Sequence, residues 1–172
     1  LELTPPLHFS GRITLDVSVT TIEAFADPAV PGFGDTETVE IPYHVDVVPV
    51  ADVPPVAAAG PYTTDEDVAV ALPGLAGSLV DTDGSEVLTF RISGVPAGAS
   101  FDLGTDLGGG VWSFTPAQIA AGVTFAPPVN ANGTYNMVLT ATATEQANSD
   151  TEQSTAPFQV IVTPVPDALD LT

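Results

Sequence analysis

The 172 residues contain no cysteine and no lysine. The first absence excludes disulfide staples and any thiolate metal site. The second leaves Arg12 and Arg91 to face 22 Asp plus Glu, for a formal net charge of −20. Such a chain excludes nucleic acid as a partner, because phosphate contacts need a basic surface, and it disfavours an anionic membrane surface for the same reason. No apolar run is long enough to insert into a membrane as a helix. Catalytic signatures are missing too: there is no Cys nucleophile, GxSxG elbow, HExxH pair or phosphate loop. Gly108-Gly109-Gly110 precedes a strand-like segment and reads as a hairpin turn. The two histidines, His8 and His44, sit in β-like segments and read as surface or edge residues, so the expectation is a protein that is not an enzyme.

What remains is apolar and β-forming. Hydrophobic residues make up 44% of the chain, too many for a disordered acidic tail. Seventeen prolines and fifteen glycines punctuate it every few residues, and the pieces between favour β-branched residues in alternation. Strands are expected near Val68 to Leu72, Val87 to Ser93, Ala99 to Leu103, Gly110 to Thr115, Val123 to Phe125, Tyr135 to Thr144 and Phe158 to Thr163. The alternation is clearest where Tyr135, Met137, Leu139, Ala141 and Ala143 would share a face. Trp112 and Phe114 should plug the core, with sugar stacking the other reading of Trp112. Pro116 to Ala121 is the one helical candidate, capped by Thr115. Seven short strands at this spacing describe an all-β chain of immunoglobulin-like β-sandwich modules in tandem.

The tandem arrangement comes from an internal repeat. Residues 123–145 re-read residues 1–23 at an offset of 122, so that Pro5-Pro6 falls on Pro127-Pro128, Gly11 on Gly133 and Glu23 on Glu145. The offset then shortens to 115, bringing Val45 to Asp52 onto Val160 to Asp167. A fixed period marks an array of folding units. Residues 1–51 are then expected to be the C-terminal part of a preceding, possibly split, repeat, 52–166 a complete repeat, and 167–172 the start of the next linker. The stretches Val48 to Tyr62 and Val162 to Thr172 read as stiff, proline-rich linkers. The longer loop Ala24 to Thr38 suits a specialised copy or plain loop drift.

The carboxylates gather between the apolar segments. Asp81, Asp83 and Glu86 lie at positions one, three and six of a turn that Gly84 lets bend, a pattern that offers oxygens to calcium; the alternative is a solvated acidic turn. From a seven-strand topology, Asp52, Asp65, Glu66, Asp67 and Glu145 are expected to converge at one pole, with Glu23 closing the same pole of the preceding copy. The Asp81 turn and Asp167 are expected at the opposite pole. Acids left exposed for solubility are the alternative at each position.

Taken together, the segments DTDGSE, VPAGASF, WSFTPAQ and ATATE, with a closing VIVTPVPDA, resemble the tandem extender repeats of giant RTX adhesins secreted by bacterial type I machinery. The resemblance covers the complete repeat and, more weakly, residues 1–52; the glycine-rich nonapeptides of that family are absent. It implies Ca²⁺-loaded modules stacked into rods on the bacterial cell surface. Their partners would be neighbouring repeats of the same polypeptide, with glycan or peptide ligands bound through other domains. A ligand-binding module using the Ala24 to Thr38 loop is the alternative.

Overall fold

A computed structural model describes residues 2–22 and 36–166. It divides into two compact units, Leu1–Pro49 and Val50–Thr172, and the described residues are all-β apart from one short helix.

In the first unit, β1 (Gly11–Ile22) and β2 (Thr36–Val47) form an antiparallel hairpin with Gly11 opposite Val47 and Ile22 opposite Thr36. Alternation gives it two unlike faces. One is polar and cross-linked: Arg12 donates to both carboxylate oxygens of Asp46 at 2.7 and 3.2 Å, Thr14 bonds His44 Nδ1 at 3.1 Å, and the Thr20 and Thr38 hydroxyls meet at 2.9 Å. The other carries Leu15 and Val17 opposite Tyr43 and Ile41. Of the loop expected over Ala24 to Thr38, Thr36 to Thr38 belong to β2 and the rest lies outside the described residues.

In the second unit, a six-stranded sheet runs in the order β4 (Tyr62–Asp65), β13 (Thr151–Thr163), β12 (Gly133–Glu145), β7 (Glu86–Ser93), β10 (Val111–Phe114), β9 (Thr105–Gly108). Its pairings are antiparallel except that of β4 with β13. A three-stranded sheet holds β5 (Val70–Ala71), β11 (Thr124–Ala126) and β8 (Ser100–Phe101), and β3 (Val56–Ala57) pairs with β6 (Ala76–Gly77). Buried side chains of the two larger sheets form one core. Phe101 of the small sheet packs on Trp112 and Phe114 of the large one at centroid distances of 5.3 and 5.4 Å, and Phe125 lies 6.4 Å from Tyr135. Aromatic pairs of this kind add about 1 kcal/mol each beyond their area. Trp112 is thus a half-buried core residue, which also lines a cavity of about 450 Å³ with Asp106 and Gly110.

Period-two alternation explains the long strands. On β12, Met137, Leu139, Ala141 and Ala143 are buried; on β7, Leu88, Phe90 and Ile92 are. The helix α1 spans Pro116–Ala121 as the sequence predicts, with a capping box in which Gln118 N–H donates to Thr115 Oγ1 and Thr115 N–H to Gln118 Oε1. β13 begins seven residues before the expected Phe158 and contains Pro157. There β13 pairs only with β12, since β4 joins it from Val160 onward. Proline is tolerated on such a free edge.

Two expectations are corrected. Val48 to Tyr62 is not a bare linker: Ala51 and Pro54 are buried, Ser154 Oγ donates to Pro54 O, and Tyr62 packs edge-on against Phe158 while donating to Pro73 O at 2.7 Å. A strand, β4, also runs up to Asp65, ahead of the first strand expected from Val68.

The internal repeat reappears as geometry. Met137 faces Phe158 and Leu139 faces Ala156 in the β12–β13 pair; shifted by 122 and 115 these are Leu15 with Tyr43 and Val17 with Ile41, the pairs found in the hairpin. The turns before each pair also match. Phe9 N–H donates to Pro6 O as Ala131 N–H does to Pro128 O, and His8 and Asn130 both take positive φ. Even the polar pair Thr14–His44 has its counterpart in Gln159 donating to Asn136 at 2.7 Å.

Candidate metal centre

Glu86 is the first residue of β7 and Glu145 the last of β12, and the two are directly opposed across that antiparallel pair. Each shares the parity of its strand's core residues, so alternation turns both inward: Glu86 is 6% exposed and Glu145 3%. Asp81, just ahead in the turn, is 7% exposed. Like charges opposed in a sheet repel, and the lone cation of the second unit, Arg91, is five residues along β7, roughly 17 Å away.

Backbone donors meet part of this negative charge. Glu86 Oε1 accepts Asp52 N–H at 2.7 Å, which draws the incoming chain onto the site. Asp81 Oδ1 accepts Asp83 N–H at 2.9 Å, and Asp83 Oδ1 accepts Ser85 N–H at 2.7 Å. These bonds fold the turn on itself around Gly84, whose φ of +95° favours glycine. Gln146 holds the turn to β12, donating from its backbone to Ser85 O and from its side chain to Gly84 O. Asp150, which the sequence reading passes over, accepts Ala51 N–H at 3.1 Å. Its signal was its place in the short connection leaving Glu145. Among the described residues, Glu86 Oε2 is buried and without a hydrogen-bond partner.

The structure therefore brings Asp52, Asp81, Asp83, Glu86 and Glu145 to one end of the unit. Asp65, Glu66 and Asp67 are elsewhere, contrary to the expected grouping. Asp65 is paired with Thr163, at the end of the sheet where Gly133 faces Val162. Glu145 lies at the far end of the 13-residue β12, roughly 40 Å away. The reason is the stretch from Asp52 to Asp65, which crosses from the Glu86 end and finishes in β4 beside the last residues of β13, so the triplet sits at the far pole and the next acidic turn comes back. Nor does the triplet share a focus. Asp65 Oδ1 accepts Thr163 Oγ1 at 2.6 Å, Glu66 Oε1 accepts Val165 N–H at 2.7 Å, and Asp67 Oδ1 accepts Asn130 N–H at 2.8 Å. Each carboxylate diverges onto its own donor. Glu23 and Asp167 lie outside the described residues.

The donor set at the Glu86 end is made of hard oxygens, which suit Ca²⁺, and a buried carboxylate oxygen without a donor is what a cation would satisfy. The spacing is less complete. Among the described residues, no three His, Asp or Glu side chains converge closely enough to enclose a metal ion. An ion here would also draw on backbone carbonyls and water.

Among known proteins, no family model matches the chain and no curated protein does. A solved structure of an endo-fucoidan hydrolase of glycoside hydrolase family 107 aligns with 98% of this chain at 12% identity and a TM-score of 0.35. The chain spans 21% of that protein's length. A likeness this distant carries no activity across.

Proposed function

We propose that the chain is a calcium-stabilised spacer from a bacterial cell-surface adhesin, built of immunoglobulin-like β-sandwich modules in tandem and without catalytic activity. In this reading residues 1–51 are the closing part of one repeat and 52–166 a complete one, and the rod they belong to holds ligand-binding domains away from the cell. The observation that carries it is the buried, partnerless Glu86 Oε2 opposite buried Glu145, where the chain comes into the second unit. The Asp52 N–H bond to Glu86 ties that chain to the acidic site. A cation there would neutralise the opposed carboxylates and make the stability of the second unit depend on extracellular calcium. The identical strand registers of the two units support the tandem part of the reading.

Extracellular modules bind calcium with constants near 10⁻⁴ to 10⁻³ M, and calcium at a hundredfold excess over that constant adds about 2.7 kcal/mol of stability per site. Thermal unfolding and small-angle scattering with calcium and with chelator test the proposal. Chelation should lower the melting temperature and enlarge the radius of gyration. An unchanged melting curve and unchanged scattering sink it.

A further inference from the structure

The hairpin of the first unit has the strand register of β12–β13 but not their burial. Val17 is 44% exposed where its counterpart Leu139 is 0% exposed, and Tyr43 is 60% exposed where Phe158 is 5%. Val19 and Ile41 stand beside them on the same face, and their counterparts Ala141 and Ala156 are buried. An apolar sheet face of this size is a binding surface or an aggregation liability. The second unit displays what covers such a face. There β12 pairs on its second edge with β7, Val138 facing Ser93 through Glu145 facing Glu86, and the small sheet packs over both.

The two edges of the hairpin are not equivalent. Pro42 interrupts β2 opposite Asp16, as Pro157 interrupts β13 opposite Val138. Proline lacks the donor that a new strand would need, so this edge resists strand addition at that point. β1 holds no proline from Gly11 to Ile22. Its edge from Asp16 onward corresponds to the stretch of β12 that β7 occupies.

We infer that β1 is an acceptor edge for strand addition, and that its occupant is an extended segment of the β7 type, running antiparallel from Asp16 toward Ile22. Apolar residues at alternate positions of that segment would cover Val17 and Val19. Its backbone would supply the ladder, and its polar side chains would meet Ser18 and Thr20 as Arg91 and Thr89 meet Thr140 and Thr142. The partner is thus a β7-type strand from a repeat of this kind, recognised by pattern and register. Calcium has no part in this inference, so it stands or falls apart from the spacer reading.

The test uses the full chain with a synthetic peptide carrying residues 84–96, followed by hydrogen exchange. The peptide is expected to slow exchange across residues 16–22 by about tenfold or more, leaving β12 and β13 unchanged. A peptide with proline in place of its Phe90 should give no protection, and Val19→Asp in the chain should abolish the effect. Overturning results are unchanged exchange at millimolar peptide, equal protection by the proline peptide, or protection that grows with protein concentration alone as the mass doubles. The last would make a second copy the occupant.

Discussion

Glu86 and Glu145 are buried face to face at the end of the β7–β12 pair, and one oxygen of Glu86 has no donor. Burying like charges this way costs stability unless a counter-charge arrives. Glu86→Gln should therefore have opposite effects in two solutions. In chelator it should raise stability by up to about 1 kcal/mol, since one of the opposed charges is gone. In calcium it should erase the metal-dependent gain, worth about 10 °C for a single site at hundredfold excess in a unit of this size. Differential scanning calorimetry under both conditions checks this. A variant that keeps the whole calcium shift would place the ion elsewhere.

The far pole should behave differently. Asp67→Ala removes the acceptor for Asn130 N–H, and Asp65→Ala removes the acceptor for Thr163 Oγ1. Each is expected to cost about 1 kcal/mol in urea denaturation, equally with and without calcium. A calcium-dependent loss at Asp65 or Asp67 would show that this triplet holds metal after all.

On the hairpin, the hydrogen bonds and charge of Arg12 hold the Asp46 carboxyl below its usual range, and Asp46 holds Arg12 above its own. A depressed carboxyl stabilises the folded form above its unfolded pKa and loses that contribution as pH falls through the folded value. The Asp46 midpoint, followed by NMR, should lie below the normal Asp value and return toward it in Arg12→Ala. An unmoved midpoint would mean the pair is not formed in solution.

Equivalent positions in the two units should differ in energetic weight. Leu139 is fully buried, so Leu139→Ala should cost about 2–5 kcal/mol. Val17 occupies the same repeat position on an open face, so Val17→Ala should cost no more than about 0.5 kcal/mol. Chemical denaturation of the two variants decides it; a large loss at Val17 would mean that this face is already covered.

Much of the second unit could be read from its residues because the signals are local. Alternation marked β7 and β12, the triple glycine marked the β9–β10 turn, and Thr115 with Pro116 marked the start of the helix. The strands that escaped, β3, β4, β6 and β9, span two to four residues and are too short for any period to show. Glu86 and Glu145 could have been foreseen as inward-facing, since each continues the core parity of its strand. Which acids share a pole could not, because that depends on how many times the chain crosses the sheet.

The sequence alone determined the β character, the anionic surface and the repeat with its register, since composition and periodicity are properties of neighbours along the chain. Tertiary structure alone decided that Asp52 meets Glu86 while Asp65 meets Thr163. It also decided that the first unit presents open what the second buries. Pairings between residues 34 and 98 positions apart are set by the closure of the whole sheet, and no local pattern of sequence links the partners.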